Sequence, residues 1–261
     1  MTKTILITGA TDGIGYETAK LLVSEGHRVL VHGRSAEKLG RVTQDLVVKG
    51  YRADLSSFSD TAALAQAVKA DNDTIDVLIN NAGVFKTPQT HTADGLDVRF
   101  VVNTLTPYLL TCALLDQMPA DGRVVNLSSA AQAPVDLTAM KGQRDLSAMD
   151  AYAQSKLAIT IWSRELAAEL PDGPSVVAVN PGSLLASKMV KEGFGVAGND
   201  LSIGADILRQ AALSDTFLGK SGAYFDNDSG RFADPHRDAS NTGKSAAVYS
   251  EIKALVAQYG G

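Results

Sequence analysis

The chain has 261 residues, of which 45% are apolar and 20% charged, and a formal net charge of −5. That length suits one large α/β domain with a sizeable core, and an acidic balance without any basic block argues against a nucleic-acid partner. A single cysteine, Cys112, excludes an internal disulfide; it lies in an apolar helical run and is expected in the core. No stretch of about 18 uninterrupted apolar residues occurs, so no membrane span is expected. His27, His32, His91 and His236 lack metal-ligand spacing, which argues against a zinc site.

The first predicted strand, Thr4–Ile7, begins after three residues, which leaves no room for a signal peptide and suggests a cytoplasmic protein. It breaks at Gly9-Ala10-Thr11-Asp12-Gly13-Ile14-Gly15, and a helical pattern follows with Ile14, Ala19, Leu22 and Val23 on one side, ending at Gly26. Strand, glycine turn and helix are how a dinucleotide-binding sheet begins. Glycines let backbone N–H groups approach a pyrophosphate, which sits at the positive end of the new helix. A tight turn without a ligand is the plainer alternative.

Arg28–His32 reads as the second strand and runs into Gly33-Arg34-Ser35. Sheets that take NAD usually place Asp or Glu at this point, to accept from the adenosine ribose hydroxyls. Arg34 could instead hold a 2′-phosphate through two parallel hydrogen bonds, which favours NADP(H) over NAD(H). A solvated arginine at a strand end is the bland alternative. Ala36–Leu46 looks helical, Val47–Ala53 is a third-strand candidate, and Asp54-Leu55-Ser56 leads into a helical pattern over Ser56–Ala70.

Ile75–Ile79 suits a central strand, capped by Asn80-Asn81-Ala82-Gly83. Asp94–Leu115 is predicted as one long helix carrying Asn103 in an apolar surround. Gly122–Leu127 is the next strand and ends in Ser128-Ser129. Successive side chains alternate faces on a strand, so only one of these serines can point inward. Ala130–Asp150 is polar and irregular. Asp150 is the expected N-cap of a helix to about Leu170, on which Tyr152 and Lys156, four apart, share a face.

Ser175–Val179 is a further strand, closed by Asn180-Pro181-Gly182. Residues 183–200 are glycine-rich and suit a flap. There Leu184, Leu185, Met189, Val190 and Phe194 hint at a hydrophobic substrate, although they could equally pack inward. Ile203–Leu213 is helical, Gly222–Phe225 a last short strand, and about 226–261 a C-terminal extension ending in the amphipathic helix Ser245–Tyr259. The expected architecture is α/β: a three-layer, doubly wound Rossmann fold with a mostly parallel sheet of about seven strands in one domain.

Thr8-Gly9-x3-Gly13-x-Gly15, Asn80-Asn81-Ala82-Gly83, Asn103, Ser129, Tyr152-x3-Lys156 and Pro181-Gly182 occur in this order. With this set, from residue 3 to about 225, the chain resembles the short-chain dehydrogenase/reductase family. Asp12, where extended epimerase-like members carry glycine, points to the single-domain subgroup. The long Ser129–Tyr152 segment and Gln154-Ser155-Lys156-Leu157 make it similar to the retinol-dehydrogenase-like branch.

The resemblance implies roles by position. Gly9, Thr11, Asp12, Gly13, Ile14 and Gly15 would cradle the pyrophosphate, and Arg34 would lie near the adenosine phosphate. Asp54 and Leu55 would touch adenine, and Asn81, Ala82 and Gly83 the adenosine-side ribose. Pro181, Gly182 and Leu184 would hold the nicotinamide amide, with Ser187 nearby. Tyr152 would exchange the proton, Lys156 would lower its pKa and bind the nicotinamide ribose, and Ser129 would orient the substrate oxygen. Asn103 would support a proton-relaying water. A phenol with pKa about 10 needs a shift of two to three units to act near neutrality, or roughly 3–4 kcal/mol of preferential phenolate stabilisation.

The implied activity is hydride transfer between NADP(H) and a small-molecule carbonyl or alcohol. The family's habit implies a homodimer or homotetramer. A redox sensor or scaffold that binds dinucleotide without turnover is the alternative, and isomerase or dehydratase chemistry a third.

Overall fold

The structure, a computed structural model, describes residues 1–183, 185 and 198–260. Leu184, Ser187, Met189, Val190, Phe194 and most of the expected flap lie outside the described residues. In chain order the elements are β1 (Thr4–Ile7), α1 (Gly13–Ser24), β2 (Arg28–Gly33), α2 (Ala36–Leu46), β3 (Lys49–Arg52), α3 (Phe58–Asp71), β4 (Val77–Asn80), α4 (Val98–Phe100) and α5 (Thr106–Leu114). There follow β5 (Arg123–Leu127), α6 (Leu137–Met140), α7 (Ala148–Glu169), β6 (Ser175–Asn180), α8 (Leu201–Leu213), β7 (Tyr224–Asp226), β8 (Arg231–Ala233) and α9 (Thr242–Tyr259).

The strands form one sheet in the order β3-β2-β1-β4-β5-β6-β7-β8, parallel except for β8, which runs antiparallel to β7 with Phe225 opposite Phe232. Among the described residues the sheet has eight strands, where about seven are expected from the sequence. Arg231–Ala233 is too short to show an alternating pattern inside a turn-rich stretch.

Alternate strand residues enter opposite cores. Ile5, Ile7, Val29 and Val31 pack with Leu22 of α1 and Leu208 of α8, while Leu6, Leu30 and Leu78 face Val68 of α3, Leu110 of α5 and Ile161 of α7. Burial on both faces explains why the parallel strands read as apolar runs rather than as alternating ones. Neighbours β2 and β4 lie on either side of β1, so their connections leave in opposite directions and open a crevice at the carboxyl ends of the strands.

Local chemistry moves several boundaries. β3 starts at Lys49 rather than Val47, because Val47 ends α2 in the left-handed conformation at φ +54°. The 94–115 run is broken into α4, a π-helical turn at Val101–Leu105, and α5. Pro107 has no N–H for the Asn103 carbonyl four residues earlier, which removes an α-helical hydrogen bond at that turn. Val98–Gln117 is apolar and long enough, by length and composition alone, to cross a membrane, yet most of it is buried inside the fold.

Cys112, expected in the core, is exposed on α5. α7 is capped by Ser147, not Asp150: the Ser147 hydroxyl accepts from the Asp150 N–H at 3.1 Å and donates to the Asp150 carboxylate at 2.7 Å. The irregular 130–150 connection holds α6, capped by Asp136, whose own N–H reaches Gln154 of α7 at 2.9 Å. α9 closes the C-terminal extension over α7, with Tyr249 donating to Glu169 at 2.8 Å and Val248, Ile252 and Leu255 buried.

Candidate active site

The glycine turn between β1 and α1 is shaped by its neighbours. Gly9 takes φ +65°, and a Cβ there would lie 2.8 Å from the Ala82 Cα. At Gly15 a Cβ would collide with the Asn81 amide and the Gly9 carbonyl. Only glycine permits both approaches.

Side chains then lock the turn to β4. Thr8 Oγ1 accepts from the N–H groups of Asn81 and Ala82, each at 3.1 Å, and the Asn81 amide donates to the carbonyls of Thr8 at 2.9 Å and Gly9 at 3.1 Å. His32, at the end of β2, ties the same turn to β3. Its Nδ1 accepts from the Gly9 N–H at 3.2 Å, so Nε2 carries the hydrogen and donates to the Ala53 carbonyl at 3.1 Å. Burial holds the His32 pKa below its ordinary value, consistent with this neutral tautomer. Histidine spacing carries no sign of this role, which exists only once β2 packs beside the turn.

The turn opens on a cleft of about 520 Å³ along the carboxyl ends of the strands. Arg34, Ser35 and Lys38 line one end; Lys38 pairs at 2.7 Å with Asp12, whose carboxylate also caps α1 by accepting from the Gly13 N–H. Gly9, Thr11, Asp12, Gly13, Ile14 and Gly15 form one wall, with Asp54 and Leu55 beyond β3. The Asp54 carboxylate is engaged by the Ser56 N–H and hydroxyl at 3.0 and 2.8 Å. Asn81, Ala82 and Gly83 line the middle, and Ser129, Tyr152, Lys156, Pro181 and Gly182 the far end.

Asn103 does not line the cleft. Its amide oxygen accepts from the Val84 N–H at 2.8 Å, and its nitrogen donates to the Val84 carbonyl at 3.0 Å and to Ser155 Oγ at 2.9 Å. Ser155 in turn donates to the Tyr152 carbonyl at 2.7 Å, so Asn103 and Ser155 together fix the helical turn that carries the tyrosine. From the sequence Ser155 enters only as part of the Gln154–Leu157 motif; its bonds to Asn103 and to the Tyr152 carbonyl give it a role.

The two serines separate as strand alternation requires. The Ser128 hydroxyl is buried, donating to the Lys156 carbonyl at 3.0 Å and paired with Thr160 Oγ1 at 2.6 Å. The Ser129 hydroxyl accepts from the Ala131 N–H at 3.1 Å, and Ser129 lines the cleft together with Tyr152. The Tyr152 ring packs on Phe85, centroids 5.2 Å apart, and Lys156 Nζ lies 5.7 Å from the Tyr152 ring centroid. That ammonium donates to the Leu127 carbonyl at 2.6 Å from a buried position, and burial lowers its pKa to about 8. Burial also raises the Tyr152 pKa, only partly offset by the neighbouring Ser129 hydroxyl. The lowering expected from Lys156 together with an oxidised nicotinamide has no counterpart in these residues alone, where burial sets the direction.

A parallel sheet with its glycine turn at the switch point, and a hydroxyl, a phenol and an ammonium gathered at one end of the crevice, define a dinucleotide-fold protein with acid–base groups. A short chain dehydrogenase family model matches residues 3–194. Human retinol dehydrogenase 13 is 36% identical over 193 residues, 69% of this chain and 58% of that protein's length. Among solved structures, an uncharacterized protein from Mycobacterium paratuberculosis superposes with a TM-score of 0.81 at 28% identity, covering 97% of this chain and 92% of that one. A short chain dehydrogenase from Escherichia coli CFT073 complexed with NADPH gives 0.69 at 27% identity, covering 86% and 96%. The chain belongs to the short-chain dehydrogenase/reductase family, in its retinol-dehydrogenase-like branch.

The residues fit a nicotinamide dinucleotide. Cations stand at one end of the cleft, the N-terminus of α1 at its middle, and acid–base groups at the other end.

Proposed function

We propose that this chain is an oxidoreductase that moves hydride between NADP(H) and the carbonyl or alcohol carbon of a small molecule. The observation that carries this reading is the convergence of Ser129, Tyr152 and Lys156 at the end of the cleft opposite Arg34. When bound, the nicotinamide would supply or accept the hydride. Ser129 would donate a hydrogen bond to the substrate oxygen and hold it beside the Tyr152 hydroxyl. Tyr152 would give its proton to that oxygen in reduction and take it back in oxidation. Lys156, still mostly protonated at pH 7 with a pKa of about 8, would stabilise the phenolate left on Tyr152.

Asn103 has its amide committed to Val84 and Ser155, so a proton relay through it would use its main-chain carbonyl, which Pro107 deprives of an α-helical donor. Preference for NADP(H) rests on Arg34, exposed at the cleft mouth beside Ser35, with no carboxylate at the end of β2 to repel a 2′-phosphate.

The test is incubation with NADPH or NADH and a panel of aldehydes and ketones, following loss of the reduced-nicotinamide absorbance. Consumption with at least one carbonyl, faster with NADPH, is the expected result. Tight dinucleotide binding with no consumption across the panel would instead favour a non-catalytic sensor.

A further inference from the structure

The β7–β8 hairpin lies beyond the residues matched by the family model, yet its turn reaches back to the cleft. The chain leaves β6 through Asn180-Pro181-Gly182-Ser183, of which the first three line the cleft beside Tyr152 and Lys156. This turn has few ways to hold its own shape. Pro181 has no N–H, and Gly182 sits at φ +125°, a conformation that favours glycine.

The hairpin supplies what the turn lacks. The Asn227 N–H donates to the Asn180 carbonyl at 3.1 Å, and its amide to the Pro181 carbonyl at 2.9 Å. The Asp228 carboxylate accepts from both ends of the turn: from the Asn180 amide at 2.9 Å, and from the Ser183 N–H at 2.7 Å and hydroxyl. Asp226 accepts from the same Asn180 amide at 2.8 Å. Every hydrogen-bond partner of the Asp228 carboxylate is a donor, so the position calls for an acceptor on both oxygens, which a carboxylate provides and a carboxamide does not.

We propose that Asp228 is a positioning residue for the nicotinamide end of the cleft. By stapling Asn180 to Ser183 it holds the Pro181-Gly182 turn at the distance from Tyr152 that a bound nicotinamide needs. The inference rests on the dinucleotide reading above. It assigns a function to a hairpin turn that otherwise looks like a surface connection.

Asp228→Asn separates this role from a plain turn-forming one. Asparagine forms such turns as well as aspartate does, but it would aim an NH₂ at donors. Wild type, Asp228→Asn and Asp228→Ala are titrated calorimetrically with NADPH and with 2′,5′-ADP, which lacks the nicotinamide half; NADH and 5′-AMP form a parallel pair. Both variants should bind the preferred dinucleotide about tenfold more weakly while binding its adenosine fragment within about twofold of wild type. Wild-type dinucleotide affinity in Asp228→Asn overturns the proposal. So does equal weakening for dinucleotide and fragment, which would mean a general loss of structure. If wild type binds neither dinucleotide, the parent reading fails and the staple falls with it, an outcome distinct from the other two.

Discussion

The Lys156 ammonium donates to the Leu127 carbonyl at 2.6 Å from a position only 4% exposed, at the point where β5 ends and the cleft begins. Keeping a charge there costs free energy. Burial lowers the Lys156 pKa from 10.5 to about 8, so between those values the unfolded chain holds a proton that the folded chain has released. Stability should therefore rise with pH across that window. Denaturant unfolding of wild type and Lys156→Met isolates the lysine: wild type should gain about 1 kcal/mol on the variant between pH 7 and pH 9. A pH-independent difference would remove the buried charge from the account. The Tyr152 pKa, raised by burial, works in the opposite sense only above pH 10, outside this range.

Ser128 and Ser129 are adjacent in sequence and opposite in role. Ser129→Ala should lower kcat by about 10²-fold through loss of the hydroxyl proposed to orient the substrate oxygen, with stability nearly unchanged. Ser128→Ala should cost about 1–2 kcal/mol in unfolding experiments, because its hydroxyl links the Lys156 carbonyl to Thr160, and should leave kcat within a few-fold of wild type. Steady-state kinetics beside denaturant melts distinguish the two, and the reverse pattern would exchange their assignments.

The proposed preference for NADP(H) rests on Arg34 at the cleft mouth. Arg34→Asp replaces a phosphate-binding guanidinium with a carboxylate that repels a 2′-phosphate and accepts from ribose hydroxyls. The ratio of kcat/KM for NADPH over NADH should fall by about 10²-fold or more. An unchanged ratio would refute the role of Arg34 and leave Lys38 and Arg52, whose side chain donates to the Arg34 carbonyl at 3.3 Å, as the remaining cations nearby.

Val47 is a β-branched residue at φ +54° and is 90% exposed. The position is a helix C-terminus of the kind glycine usually fills, and the side chain contributes little packing. Val47→Gly should stabilise the protein by about 1 kcal/mol after allowing for glycine's larger unfolded-state entropy, raising Tm by about 2–4 °C. A lower Tm would show that the Val47 side chain packs in a way its exposure does not suggest.

Much of this arrangement could be read from the chain. The apolar runs of β1, β2, β4, β5 and β6 are continuous because helices cover both sheet faces, and each was placed to within two residues. Tyr152 and Lys156 were paired by helical spacing, and the glycines by the turn they require. Other features depend on tertiary contacts that leave no periodic trace. β8 has three residues and is defined by its partner β7; His32 acts on the glycine turn across two strands. Cys112 falls on the outward side of a helix whose apolar content masks which face is buried. The upward direction of the Tyr152 shift in the protein alone is hidden for the same reason. Charge spacing suggests a lowered phenol, whereas the desolvation that raises it comes from packing such as that of Phe85.

In the proposed reaction the Tyr152 hydroxyl is the group that exchanges a proton with the substrate oxygen. Tyr152→Phe removes that oxygen and keeps the ring that packs on Phe85. Single-turnover and steady-state rates with NADPH and the best carbonyl of the panel should fall by about 10²-fold or more, while calorimetric NADPH affinity stays near that of wild type. Turnover close to wild type in that variant would contradict the account.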